Sequence, residues 1–162
     1  MKDKRNAILA KNLINYSVEL KAGEHLYLEL KGKESLELGK EIIKCATEAG
    51  GIPFWYYNDE SLARNWISGA SDDQMKKSAE FHLEMMKRSA AYIGVRGSDN
   101  PFDLADIDPD RRTAFNQLFY HPVHLEQRVK RTKWVVLRYP NNAMAQLAET
   151  SQESFEDFYF NV

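Results

Sequence analysis

Among its 162 residues the chain has one cysteine, Cys45, so no internal disulfide can form. No apolar run approaches the roughly 20 residues that a membrane helix needs. The richest, Ile52-Pro53-Phe54-Trp55-Tyr56-Tyr57, stops far short. No charge sign dominates either. Lys and Arg number 22 against 24 Asp and Glu, a net charge of −2, which gives no global attraction to nucleic acid or to an anionic membrane. The opening Met-Lys-Asp-Lys-Arg-Asn leads into an amphipathic pattern without the apolar stretch of a signal peptide, so the expected compartment is the cytoplasm. Linkers rich in Gly, Ser or Pro, internal repeats and low-complexity segments are also missing, which leaves one domain.

What is present is apolar periodicity, carried by 43% hydrophobic residues of which many are aromatic. His25-Leu26-Tyr27-Leu28-Glu29-Leu30 alternates at period two and reads as a strand with one less buried side. Ile52 to Tyr57, Ala91 to Val95 and Trp134 to Leu137 are nearly continuous, as in strands covered on both faces. Helical spacing joins Leu9, Leu13, Tyr16 and Leu20. It also joins Leu38, Ile42, Cys45 and Ala49 before a stop at Gly50-Gly51, which makes Cys45 an expected core residue. Met75, Ala79, His82 and Met86 follow a capping box, Ser71-Asp72-Asp73-Gln74. Asp108-Pro109-Asp110 opens a further helix with Ala114, Phe115, Leu118 and Phe119, which Pro122 is expected to bend or interrupt. Strands alternating with such helices predict a three-layer α/β fold. This is a Rossmann-like or flavodoxin-like parallel sheet of at least four strands with helices on both faces.

Motifs for chemistry are mostly broken. Gly32-Lys33-Glu34-Ser35 lies where a phosphate loop would, but Tyr27 stands in place of the first glycine and Glu34 in place of the hydroxyl residue. Asp106-Ile107-Asp108-Pro109-Asp110 starts like a calcium loop, yet Arg111 and Gln117 occupy the glycine and glutamate positions. His121 and His124 are two histidines where zinc needs about three protein ligands, and the reading is of solvated or capping histidines. The basic run from Arg128 to Lys133 reads as a solvated helix end. There is no G-x-G-x-x-G and no G-x-S-x-G. Ligands of an open parallel sheet favour the carboxyl ends of its strands. Here those are Lys31-Gly32, Tyr57-Asn58, Arg96-Gly97 and Tyr139-Pro140-Asn141. No catalytic and no metal residue is assigned. Asn58, Arg96, Asn100, Tyr139 and Asn141 are the candidates for a strand-end or interdomain surface.

The tail carries a capping box at Thr150-Ser151-Gln152-Glu153, then an apolar stripe of Phe155, Phe158 and Val162. The expected division is an α/β domain over 1–150 and, over 151–162, the start of a helix leading to an absent C-terminal domain. That helix is expected to dock partly, leaving an exposed patch near Tyr139-Pro140-Asn141.

Several strings in order resemble the aminopeptidase T/aminopeptidase S family of metallo-aminopeptidases. They are Leu9 to Val18 with Lys21-Ala22-Gly23-Glu24, Ala46 to Gly51, and Asp99-Asn100-Pro101 with Asp106 to Pro109. Trp134 to Pro140 with Met144-Ala145-Gln146, and Glu153 to Phe160, complete the series. The resemblance covers only the N-terminal α/β domain of proteins about twice this length or more. It implies a parent enzyme that removes N-terminal amino acids from peptides with two divalent metal ions, zinc, cobalt or similar. It also implies a homodimeric parent, and a metal site in the missing C-terminal domain, so no ligand carries over to this chain and the chain alone is expected to be inactive. The alternative is a stand-alone α/β ligand-binding or interaction module without catalysis. An open reading frame continuing past Val162 separates the two.

Overall fold

Four strands, β1 (His25–Lys31), β2 (Ile52–Asn58), β3 (Ala91–Arg96) and β4 (Lys133–Arg138), form one sheet in the order β2-β1-β3-β4. Every strand pair is parallel, in a computed structural model that describes residues 3–100 and 102–161. Helix α1 (Lys4–Asn12) precedes the sheet, and α2 (Ser35–Glu48) joins β1 to β2. Helices α3 (Glu60–Gly69) and α4 (Asp72–Arg88) join β2 to β3. From β3 to β4 the chain runs through α5 (Pro109–Phe115), a π-helical stretch Asn116–Arg128 and a last turn, α6 (Val129–Arg131). Helices α7 (Asn142–Leu147) and α8 (Gln152–Asn161) follow.

Helices cover both faces, as the strand and helix periods require. Leu26, Leu28 and Leu30 of β1 and Ala91, Ile93 and Val95 of β3 pack against Leu13, Ile14, Leu38 and Ile42. On the other face Tyr27 and Tyr92 meet Ala79 and Met86 of α4 and Phe119 and Val123 of the π-helical stretch. Each such aliphatic or aromatic side chain, fully buried, contributes about 1.5–3 kcal/mol.

Burial of the strands differs from the periodic reading. β3 is buried on both faces, but β2 and β4 are the sheet edges, with Trp55 57% and Trp134 43% exposed. A continuous apolar run marks residues that shun charge, and an aromatic edge strand shares that composition with a central one. β1, conversely, is buried throughout its middle, Glu29 included. Ile52 N–H donates to Glu24 and Gly32 N–H to the Asn58 carbonyl, so the even-numbered residues of β2 bond to β1. Pro53, Trp55 and Tyr57 therefore turn their backbone groups to the free edge, where a proline has no amide to leave unpaired.

Helix starts follow the side-chain chemistry. Ser71 and Gln74 form the reciprocal box at α4, and Asp108 accepts from the amides of Asp110 and Arg111 with Pro109 in the first turn of α5. Three expectations need correction. A π turn over Leu13–Ser17 ends the first helix and shifts its phase, so Tyr16 is 83% exposed while Leu13 and Leu20 are buried. Ala46 takes the buried position in α2, and Cys45 beside it is half-buried at the margin of the core. Ser151 caps α8 through Ser154 N–H, one residue after the predicted Thr150.

α8 is partly docked. Arg5 donates to Asp157 at 2.8 Å and lies 4.5 Å from the centre of the Phe160 ring, which packs edge-on against Tyr139. Phe158 remains 63% exposed, and Val162 lies outside the described residues.

Gly32 makes the turn that launches α2, at φ +72°, and a Cβ there would run into the Gly97 backbone. Gly32→Ala is expected to cost at least about 2 kcal/mol, combining left-handed strain with the clash. Gly69→Ala, with open space around it, is expected to be neutral or slightly stabilising. Urea midpoints of the two variants check this.

Candidate functional site

The connections from β1 and from β3 leave in opposite directions along the sheet, which makes the β1/β3 seam its topological switch point. At the carboxyl end of that seam Lys31 pairs in register with Arg96, and Arg96 with Arg138 of β4. Behind this row, on the α4 face of β1, sits Glu29, 5% exposed.

Glu29 is held by three neighbours. The Tyr92 hydroxyl donates to its Oε2, Arg96 Nη1 approaches Oε1 at 3.3 Å and Lys31 Nζ lies 3.7 Å away. Burial alone would push the carboxyl up. The nearby Lys31 and Arg96 cations outweigh it and bring the carboxyl down to about 2. His124, from the π-helical stretch, is pulled down to about 4, chiefly by burial. It is therefore neutral at pH 7 and adds no cation to the site. The Tyr27 hydroxyl is hydrogen-bonded to His82 Nδ1 at 2.6 Å, and burial favours the neutral form of both. Behind Tyr92, the buried Arg128 guanidinium is 4.9 Å from the ring centres of Tyr92 and Trp134.

Two cavities open on this cluster. One, of about 310 Å³, has Tyr27, Glu29, Lys31 and Arg96 at its floor and Trp66, Phe115 and Phe119 among its walls. The other, of about 250 Å³, lies over the strand ends between Lys31, Arg96, Arg138 and Met144 of α7. The walls are tied down from outside. Arg64 of α3 pairs with Asp106, and Arg111 of α5 donates to the Ala70 carbonyl and to Asp72, each at 2.8 Å. Glu29 and His124 titrate far below pH 7 and Tyr27 and Tyr92 far above it, so these groups suit binding better than proton transfer near neutrality.

The five sequence candidates separate. Arg96 lines both cavities, Asn58 lines the larger and Asn141 the smaller. Asn141 is engaged locally, donating to the Ser98 carbonyl and capping α7. Tyr139 donates to Asn6 at 3.0 Å on the α1 side, and Asn100 holds a surface turn with Asp103 and Phe102. His121 is exposed, 3.7 Å from Glu126, whereas His124 is buried, against the reading of both as solvated or capping. The wide π-helical winding carries the chain through Pro122 without a break and seats His124 against the sheet. Glu29, Tyr92 and His82 escaped the sequence reading, although a single carboxylate inside Leu-Tyr-Leu-Glu-Leu is a visible signal. Among the described residues no three His, Cys, Asp or Glu side chains converge as metal ligands.

Because His124 binds its proton less readily in the fold than at its ordinary 6.5, the unfolded chain holds more protons between pH 6.5 and about 4. Stability should fall by up to about 3 kcal/mol as pH drops through that window. The contribution of Glu29, present above its ordinary 4.5, is lost below that as pH falls through about 2. Denaturant titrations at several pH values should show the first slope, flattened in His124→Gln.

Comparison with known proteins bears on the whole chain. Wild-type AmpT from Thermus thermophilus superposes with a TM-score of 0.72 at 19% identity, covering 98% of this chain and 42% of that one. At this identity the likeness establishes the shared fold, and the chain spans less than half the length of AmpT. A putative LacI-family transcription repressor from Corynebacterium glutamicum aligns at 13% identity over 85% of this chain and 61% of that one, with a TM-score of 0.36 that carries no argument. No curated protein matches significantly by sequence. The profile of the thermophilic metalloproteases (M29) matches residues 2–162, nearly the full length. The chain belongs to the thermophilic metalloprotease (M29) family.

Proposed function

We propose that this chain is the N-terminal, non-catalytic α/β domain of a two-metal aminopeptidase that removes N-terminal amino acids from peptides. The observation that carries the reading is the family match over residues 2–162 in a chain that spans 42% of AmpT. Such chemistry uses several converging carboxylates and imidazoles to hold two divalent ions about 3.5–4 Å apart, and among the described residues no three His, Cys, Asp or Glu side chains converge. The ligands, and the peptide-binding groups beside them, then belong to the C-terminal part of the parent protein. In this reading residues 151–162 are the start of the connection to that part. The exposed Phe158 of α8 and Leu147 of α7 offer it an apolar seat. A homodimeric parent and a cytoplasmic location belong to the same proposal. Among the described residues, no helix is long and apolar enough to cross a membrane.

A second reading, a ligand-binding module acting without catalysis, is favoured by one observation: the paired cavities at the switch point are formed by this chain's own residues.

Residues 1–162 and the longer protein encoded by the same reading frame should be assayed side by side with aminoacyl chromogenic substrates in added zinc, cobalt or manganese. The longer protein is expected to turn over and the 162-residue chain to show none. Turnover by the chain at the parent's rate, or a reading frame that stops at Val162, would overturn the proposal.

A further inference from the structure

The two cavities meet at Lys31 and Arg96, which line both. With Arg138 these residues form one register row across β1, β3 and β4, and neighbouring strands are only about 4.8 Å apart. Three cations are thus crowded at the carboxyl end of the sheet on one face. Two carboxylates answer them: Glu29, in contact with Lys31 and Arg96, and Glu60, which shares the smaller cavity and attracts Lys31. Arg138 has no ion pair among the described residues, whereas Lys31 and Arg96 both contact Glu29. Asp59, at the rim of the larger cavity, is engaged by its own helix, accepting from the amides of Ser61 and Leu62.

Two buried polar atoms at the cavities have no hydrogen-bond partner. Arg96 Nη1 approaches Glu29 but makes no hydrogen bond, and His124 Nδ1, on a side chain 5% exposed, has none either. A ligand entering the cavities would therefore find Arg96 Nη1 and His124 Nδ1 open to a further hydrogen bond. Above them the larger cavity is aromatic. The Trp66 ring meets Phe115 and Phe119 edge-on, with centroids 6.0 and 5.9 Å apart, and Tyr56 closes the β2 side. Its volume, about 310 Å³, matches the lower end of small-ligand sites, roughly 300–1,000 Å³.

We propose that the joined cavities form a binding site for a small aromatic carboxylate. Its ring occupies the lobe beside Trp66, and its carboxylate lies against Arg96 and Lys31, with Arg138 neutralising it from the rim. A carboxylate suits the row better than a phosphate ester, because Glu29, Glu60 and Asp59 already line the cavities and would repel a phosphate monoester, about −1.5 to −2 at pH 7, more than a single negative charge. The site stands or falls independently of the aminopeptidase reading, since every group it uses lies in this chain.

The test is calorimetric titration of residues 1–162 with N-acetyl-L-phenylalanine, its uncharged amide and phenyl phosphate. The acid is expected to bind at least about tenfold more tightly than the amide. Arg138→Gln, at an exposed position without an ion pair among the described residues, should weaken the acid by about threefold to tenfold and leave the denaturation midpoint unchanged. Ala63→Phe, which fills the aromatic lobe, should abolish binding of the acid. Equal affinity for acid and amide, tighter binding of phenyl phosphate than of the acid, or an affinity untouched by Arg138→Gln would overturn the proposal.

Discussion

A carboxylate out of water inside a parallel sheet is tolerable only if cations reach it, and the middle of this molecule is arranged around that requirement. Glu29 lies at the centre of β1 with Lys31 two residues on along the same face and Arg96 supplied by β3. Tyr92, also from β3, completes the set with a hydroxyl donor. Removing one partner from a buried ion pair typically costs about 3–5 kcal/mol, because the other charge stays behind. The β1–β3 pairing is therefore constrained twice, by the ladder and by the charges that only the observed register brings together. A slip of one residue would turn Arg96 to the opposite face and leave Glu29 among aromatic rings.

The π-helical stretch is the second half of that arrangement. Over Asn116–Arg128 the buried residues are Phe119, Val123, His124 and Arg128, recurring every four or five positions. An α-helix would spread Phe119, Val123, His124 and Arg128 over about half its circumference, so Phe119 could not share one face with both His124 and Arg128. The wider winding keeps both against Tyr92, one edge-on and the other over the ring. π segments often occur at functional sites, and here the segment supplies a wall of the larger cavity and a polar atom facing the ionic cluster.

Layering, the succession of the four strands and the starts of α4 and α5 were legible in the sequence because each depends on residues close together in the chain, whereas α3 and α7 were not read. Ser71 with Gln74, Asp108 with Pro109, and Gly50-Gly51 after α2 are local devices. The strand-end positions Lys31 and Arg96 were legible as well, since the end of an apolar run marks the end of a strand. The burial of Glu29 was not. It depends on Arg96 and Tyr92, more than sixty residues away, and a polar residue at period two ordinarily signals a wet face. Tyr16 and Cys45 were misplaced for a related reason, since a π turn and a small change of helix phase move a side chain from the stripe to its margin. His124 was read as solvated because Pro122 promised a broken helix.

The outer edge of β2 has a consequence for the solution behaviour of the chain. An aromatic, uncharged edge strand is the kind of surface on which a stray strand can nucleate, and Ile52 to Tyr57 includes no lysine or glutamate to repel one. Of the three residues whose backbone groups face outward, Trp55 and Tyr57 can both donate and accept, whereas Pro53 can only accept. A foreign strand pairing there loses one rung at the start of the ladder and meets a ring where it needs an amide. Pro53 thus acts as a gatekeeper: it leaves the pairing with β1 intact and makes templated growth from the opposite side start short of its full length.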